Sequence, residues 1–324
     1  MLSRPAGLSD AALQQALAVH WNVDASELQY RPVGFGSHHW DAREEAGVSW
    51  FVTVDEVGGD PLPLRAALST AVALRAAGCA FVVSPVPTAT GEPLALVGDF
   101  AVALYSHIEG THFAGGEFAT EDHRRAVLDL VVALHRLPLT AAPAAREDDL
   151  AIPCRADLEA ALAGRAAAGD GPYTRELAAL VDRQGAVVHA ALAHYDSLVA
   201  RVDGGERRRV ISHGEPHAAN TIATAGGLVL VDWDTVLLAP PERDLWSLDA
   251  GDGRILQAYA DATGSEPSAD ALALYGLGWA LHDIAVYTRR LRRTHEGNDD
   301  DEKSWRGLRA TVALLATQAS AWVG

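Results

Sequence analysis

The 324-residue sequence predicts an α+β fold, with antiparallel strands gathered in the first third and helices in the rest. Three observations predict it. Residues 28–57 read as three short strands around the turns Gly34-Phe35-Gly36-Ser37 and Glu45-Ala46-Gly47. From Thr120 onward apolar residues recur at helical spacing, as in Val127, Leu130, Val131 and Leu134. Residues 210–234 interrupt the helical part with strand, polar loop, Gly-Gly turn and strand.

Composition bounds the function. Hydrophobic residues make up 49%, enough for a substantial core. No apolar run approaches the roughly 18 residues needed to span a membrane. The start M-L-S-R-P-A-G carries no apolar leader, and Cys79 and Cys154 do not make a disulfide framework, so the expected compartment is the cytoplasm. Net charge is −17, from 26 Lys+Arg against 43 Asp+Glu. That excludes nucleic acid and anionic membranes as expected partners, because both demand basic surfaces. It suits a cationic small molecule, or serves solubility alone.

In order along the chain, Ser9 is the expected N-cap of an amphipathic helix to about His20. Strands follow at 28–33, 38–43 and 48–57, then a helix at 64–77. A short apolar strand is read at 81–84, and a hairpin at 94–97 and 100–106 around Gly98-Asp99. Helices are expected from Thr120 to about Leu137 and at 155–168 and 173–200, the last two separated by Gly169-Asp170-Gly171-Pro172. A turn at 203–206 leads into the strand before the central loop. After that loop, helices are expected at 254–262, 269–293 and 302–321. The acidic run 298–302 reads as a solvated loop, or as a lure for a cationic substrate.

The central stretch is V-I-S-H-G-E-P-H-A-A-N-T-I-A-T-A-G-G-L-V-L-V-D-W-D. Its Gly226-Gly227 turn folds strand 228–231 back on strand 221–223, which carries Asp232 toward the loop holding His213, Glu215, His217 and Asn220. Glu, Asn and Asp offer only oxygen ligands. That suits Mg²⁺, which takes one or two carboxylates and completes its shell with phosphate oxygens and water. A rival reads H-x-E-x-H, from His213 to His217, with Asp232 as a Zn²⁺ or Mn²⁺ site of a hydrolase.

The run H-G-E-P-H-A-A-N, then a hairpin, then V-D-W-D resembles the core of the aminoglycoside phosphotransferase family and its small-molecule kinase relatives. Their pattern is H-G-D-x-x-x-x-N followed by I-D-W/F; Glu215 stands here where they most often have Asp. The resemblance implies a protein-kinase-like two-lobed fold. A small antiparallel-sheet N-lobe would cover about residues 1–107 and a larger helical C-lobe residues 108–324. It further implies that Gly34, Gly36 and Ser37 lie over nucleotide phosphates, and that the hinge at Ser106 and Ile108 holds the base. The segment Pro240-Pro241-Glu242-Arg243-Asp244-Leu245 also matches the family, with Asp244 as a structural brace, and His135 ends a helix as the family's histidine does.

The implied chemistry is transfer of the γ-phosphoryl group of ATP or GTP to a hydroxyl of a small molecule, such as an aminoglycoside-like antibiotic. In it Glu215 accepts the hydroxyl proton and His213 braces the loop. Asn220 and Asp232 hold Mg²⁺, and Asp234 is a candidate for a second ion or for the loop backbone. One family feature is missing. The third strand's phosphate-binding lysine is replaced by Thr53, and Lys303 is the only lysine in the chain. Arg65, His38 and His39 are the candidate substitutes. A nucleotide-binding pseudo-kinase without turnover is therefore the alternative.

Overall fold

The computed structural model describes residues 1–58, 60–116, 118–203 and 208–318. In chain order these form α1 (Asp10–Trp21), β1 (Ala25–Arg31), β2 (His38–Glu44), β3 (Ser49–Glu56), α2 (Leu62–Ala76), β4 (Ala95–Val97), β5 (Phe100–Ser106), β6 (Thr111–His112), α3 (Glu121–His135) and β7 (Arg146–Glu147). Next come α4 (Arg155–Leu162), α5 (Thr174–Asp203), β8 (Val210–Ser212), β9 (Thr221–Thr224), β10 (Gly227–Leu230) and β11 (Leu237–Ala239). The last are α6 (Glu242–Leu245), α7 (Arg254–Thr263), α8 (Ala269–Arg292) and α9 (Asp299–Gln318).

The chain falls into two compact units, Met1–Asp148 with Arg208–Pro267, and Asp149–Arg207 with Ser268–Gly324. The first unit joins the N-terminal sheet to the central loop. Residue 107, after which a lobe boundary is expected, lies inside that unit.

In the first unit an antiparallel sheet runs in the order β1-β2-β3-β5-β4. Period-2 alternation sets its two faces. Trp40, Val52, Val54, Val102 and Leu104 pack on Leu13, Leu17 and Trp21 of α1, where they are buried. Each such side chain contributes about 1.5–3 kcal/mol by leaving water. His39, Phe51, Thr53 and Asp55 alternate with these positions along β2 and β3, so they line the opposite face. Ser9 caps α1 through Ala12 N, as expected, and Thr120 caps α3 through His123 N. The hairpin β9–β10 pairs Thr221 with Leu230 and takes β6 as a third strand. A last sheet sets β11 between β7, parallel to it, and β8, antiparallel.

The second unit is helical. Leu177, Val188, Leu192 and Leu198 of α5 pack with Leu274, Leu281 and Ile284 of α8 and Leu308 and Val312 of α9. Among the described residues, no helix is long and apolar enough to cross a membrane.

Several expectations shift. β1 begins at Ala25 and stops at Arg31, because Pro32 has no N–H for the ladder. The strand expected at 81–84 reduces to one bridge, Val82 to Leu230, and runs straight into Pro85. α4 ends at Leu162, where Gly164, at φ +67°, donates to Ala161 O and closes the last turn. The acidic run 298–302 is not a loop. Asn298 Oδ1 accepts from the N–H of Asp300 and Asp301, and the acids form the first turn of α9, where they favour the positive end of the helix dipole. Asp301 is buried and bonded to Arg290 Nε at 2.7 Å, so it is no free lure for a substrate. Residues 204–206 of the expected turn and 319–321 of the expected last helix lie outside the described residues.

Candidate active site

The loop between β8 and β9 is built on one buried carboxylate. Asp244, at the start of α6, accepts through Oδ1 from Ser212 Oγ at 2.9 Å and Gly214 N at 2.5 Å. Its Oδ2 accepts from His213 N at 2.9 Å and lies 3.0 Å from His135 Nε2. Burial acts to raise the Asp244 pKa. The His135 hydrogen bond and the nearby His135, His213 and Arg243 charges overcome it and hold the group at about 2. His135 Nδ1 in turn meets the Tyr259 hydroxyl at 3.0 Å. Asp244 is thus the expected brace, with His135 behind it.

Gly214 could not be another residue. Its φ is +102°, and an added Cβ would lie 2.5 Å from Arg243 Nη1 and 2.7 Å from Thr235 Oγ1. Arg243 cannot step aside freely, since it donates to Ser212 Oγ and to Thr235 O. Gly214→Ala is expected to cost about 2–4 kcal/mol through clash and backbone strain. Urea unfolding of parent and variant measures it, and a difference under 1 kcal/mol would contradict the packing.

His213 is a positioning residue. Its Nε2 meets Val231 O at 2.9 Å, and its Nδ1 accepts from Glu215 N at 3.2 Å. Accepting at Nδ1 while Nε2–H donates to Val231 O needs the neutral ring, and burial does lower its pKa. With both nitrogens committed to backbone, His213 cannot ligate a metal, which removes the zinc reading of H-x-E-x-H. No group of three His, Cys, Asp or Glu that could cage a metal occurs among the described residues.

Glu215 and Asn220 are held together: Asn220 Nδ2 donates to Glu215 O at 2.9 Å, leaving the amide oxygen as the group a hard cation takes. Val231 N donates to Asn220 O, so the hairpin register sets Asn220 one residue from Asp232. Asp232 has φ +67°, a strained setting for a residue with a Cβ and one that clusters at functional sites. Trp233 locks this turn, being buried, with Nε1 on Leu230 O and its ring edge-on to His213.

Asp232 and Asp234 are open to solvent but ringed by protein, and their charges repel each other. Weakened hydration is the largest cause that raises both pKa values, with repulsion from Glu215 and Asp55 adding to it. Asp232 rises to about 6, and Asp234 rises well above the usual range. Carboxylates repelling one another in this way would be relieved by a cation.

Two further residues face these carboxylates. Asp55, two residues beyond Thr53 on β3, faces the same carboxylates and accepts from Ser37 Oγ, which ties the Gly-rich turn to β3. Burial raises its pKa. Tyr105 on β5 lies within the field of Asp55, Asp232 and Asp234, on the sheet face that carries Thr53. Strand periodicity alone puts Asp55 on the face of Thr53; Tyr105 needed the β3–β5 register.

The other expected positions are also placed. Gly34 and Gly36, both at positive φ, form the exposed turn before β2. Ser106 is the exposed end of β5, opposite Trp50, and Ile108 is half-buried two residues on. Among the substitutes for the missing lysine, Arg65 pairs with Glu92, and His38 is buried against the Tyr30 hydroxyl at 3.1 Å. His217 Nε2 stands 3.7 Å from Glu215 Oε2.

The fold is that of the kinase-like phosphotransferases. The chain belongs to the phosphotransferase enzyme family, whose profile matches residues 28–282. It is 30% identical over 298 residues to Protein StrN of Streptomyces griseus, spanning 87% of this chain and 85% of that protein. Spectinomycin phosphotransferase APH(9)-Ia, solved with ADP and spectinomycin, superposes with a TM-score of 0.72 at 18% identity, covering 97% and 99% of the two chains. A microcompartment-associated aminopropanol kinase superposes at 0.65 and 16% identity, covering 97% and 98%. At these identities the structural likeness concerns the fold: an antiparallel sheet in the N-terminal region and helices in the C-terminal region.

Proposed function

We propose that this chain transfers the γ-phosphoryl group of ATP or GTP to a hydroxyl of a small molecule in the cytoplasm. The observation that carries the reading is the convergence of Glu215, Asn220, Asp232 and Asp234 on one braced loop and hairpin, opposite a Gly-rich turn. Glu215 accepts the proton of the acceptor hydroxyl. Gly34, Gly36 and Ser37 offer backbone N–H groups to phosphate oxygens, and the segment at Ser106 and Ile108 holds the base. His213 keeps Glu215 in place through its backbone N–H.

The oxygen-only donor set fits Mg²⁺. Asn220 and Asp232 would hold it, with Asp234 as a further ligand, and the raised carboxylate pKa values mark a site that gains from a cation. When bound, such an ion neutralises phosphate charge. We further propose a cationic acceptor, such as an aminoglycoside-like antibiotic, in keeping with the net charge of −17.

One observation favours a pseudo-kinase instead: residue 53 is a threonine, not a lysine. The same experiment separates the readings. ATP or GTP with Mg²⁺ at 100 times its dissociation constant stabilises the fold by about 2.7 kcal/mol, which raises Tm by several degrees. The gain is expected to shrink sharply in EDTA. Equal affinity with and without Mg²⁺ would overturn the metal assignment. Acceptors are then screened for nucleoside diphosphate release; binding without release across the panel would favour the pseudo-kinase.

A further inference from the structure

We propose that His39 supplies the side-chain donor to the nucleotide phosphates that residue 53 does not. The inference rests on the reading that the chain binds a nucleoside triphosphate.

Register places it. His39 on β2 pairs directly with Thr53 on β3, so the two side chains share one face of the sheet, and Asp55 follows two residues on. The Gly-rich turn lies on the ring. A Cβ at Gly34 would stand 3.2 Å from His39 Cε1 and 3.8 Å from Nδ1. The edge of the imidazole that faces the turn is therefore the one bearing Nδ1. The ring is oriented by Phe51, stacked on it at 5.2 Å between centroids and 23° between planes.

Nδ1 is buried and has no hydrogen-bond partner. A buried polar nitrogen without a partner is uncommon, and a ligand oxygen is one way to complete it. Phosphate gripped by the turn would bring such an oxygen to the nitrogen beneath Gly34, the turn lifting off the ring to admit it. Burial also lowers the His39 pKa to about 4, so in the free chain the ring is neutral and carries one N–H to donate.

The other residues in reach of the role are unsuited to it or spent elsewhere. Thr53 is short and carries no charge to offer a phosphate. Arg65 is paired with Glu92. His38 alternates to the opposite face, where its Nδ1 meets Tyr30 and Ser3 O. Gly34 itself gains a second reason beyond its φ of +74°: any side chain there would press on the imidazole.

Calorimetric titration of the full chain with Mg²⁺ and ATP, ADP or adenosine tests the proposal. His39→Ala is expected to weaken ATP and ADP by about tenfold or more, which corresponds to about 1.4 kcal/mol, and to leave adenosine unchanged. Adding Thr53→Lys to His39→Ala is expected to restore ATP. In the parent, ¹⁵N shifts of the His39 ring are expected to move with ATP and stay put with adenosine, a readout that needs no variant to fold. ATP affinity unchanged by His39→Ala, equal losses for ATP and adenosine, or silent His39 nitrogens would overturn it. If the parent itself binds no nucleotide, the proposed function fails first, and this inference fails with it.

Discussion

Asp244→Asn lowers the stability of the folded chain by about 3–5 kcal/mol, the cost of breaking a buried, hydrogen-bonded charge. The carboxylate side chain is fully buried and has four polar neighbours, three of them certain donors: the Ser212 hydroxyl and the N–H groups of His213 and Gly214. An asparagine would aim an NH₂ at two of these sites, leaving donors facing donors. The pH dependence follows from the folded pKa of about 2 against an ordinary 3.8. The folded state binds the proton less readily than the unfolded chain. The contribution is therefore fully present above pH 4 and is lost as pH falls from 4 toward 2. Urea unfolding at pH 7 and between pH 4 and 2 checks both parts. The variant should lack this acid-dependent loss, and a variant within 1 kcal/mol of the parent at pH 7 would remove Asp244 as the keystone of the loop.

Glu215→Gln is expected to keep nucleotide binding and to lose phosphoryl transfer by roughly 10²–10⁴-fold, the usual share of a general base. The loop should survive the change, because the backbone contacts of Glu215, N–H to His213 Nδ1 and C=O from Asn220 Nδ2, do not involve the carboxylate. Glu215→Asp sharpens the assignment. Its carboxylate withdraws by one methylene, and a displacement of about 1 Å can cost a hundredfold. Rates are read as nucleoside diphosphate release with an acceptor that the parent phosphorylates. A Glu215→Gln enzyme turning over at the parental rate would sink the assignment, and a faster Glu215→Asp enzyme would mean that the loop is set for the shorter side chain.

Much of the site could be read along the chain because its parts are local. His213, Glu215 and Asn220 lie within eight residues, and a Gly-Gly turn returns Asp232 to them. Turn chemistry and period-2 alternation act over a few residues, so a single sequence carries them. The helices at α1 and α3 are legible for the same reason: a cap at Ser9 marks the first and an apolar stripe the second. The acidic run that opens α9 reads equally as a loop, because charge alone does not distinguish a solvated loop from a helix start. Asn298 as N-cap decided between them.

By itself, then, the sequence determined the α+β class, the loop-and-hairpin motif and the absence of a lysine at residue 53. Tertiary structure alone decided which distant residues join that motif. His39, Thr53, Asp55 and Tyr105 come from β2, β3 and β5, and strand register aligns them on one face. His135 meets Asp244 across 109 residues of chain. The first compact unit is itself assembled from 1–148 and 208–267, with the helices between them belonging to the second. Such pairings depend on which apolar faces pack together and in what register, a choice made by the whole core and invisible in any local window.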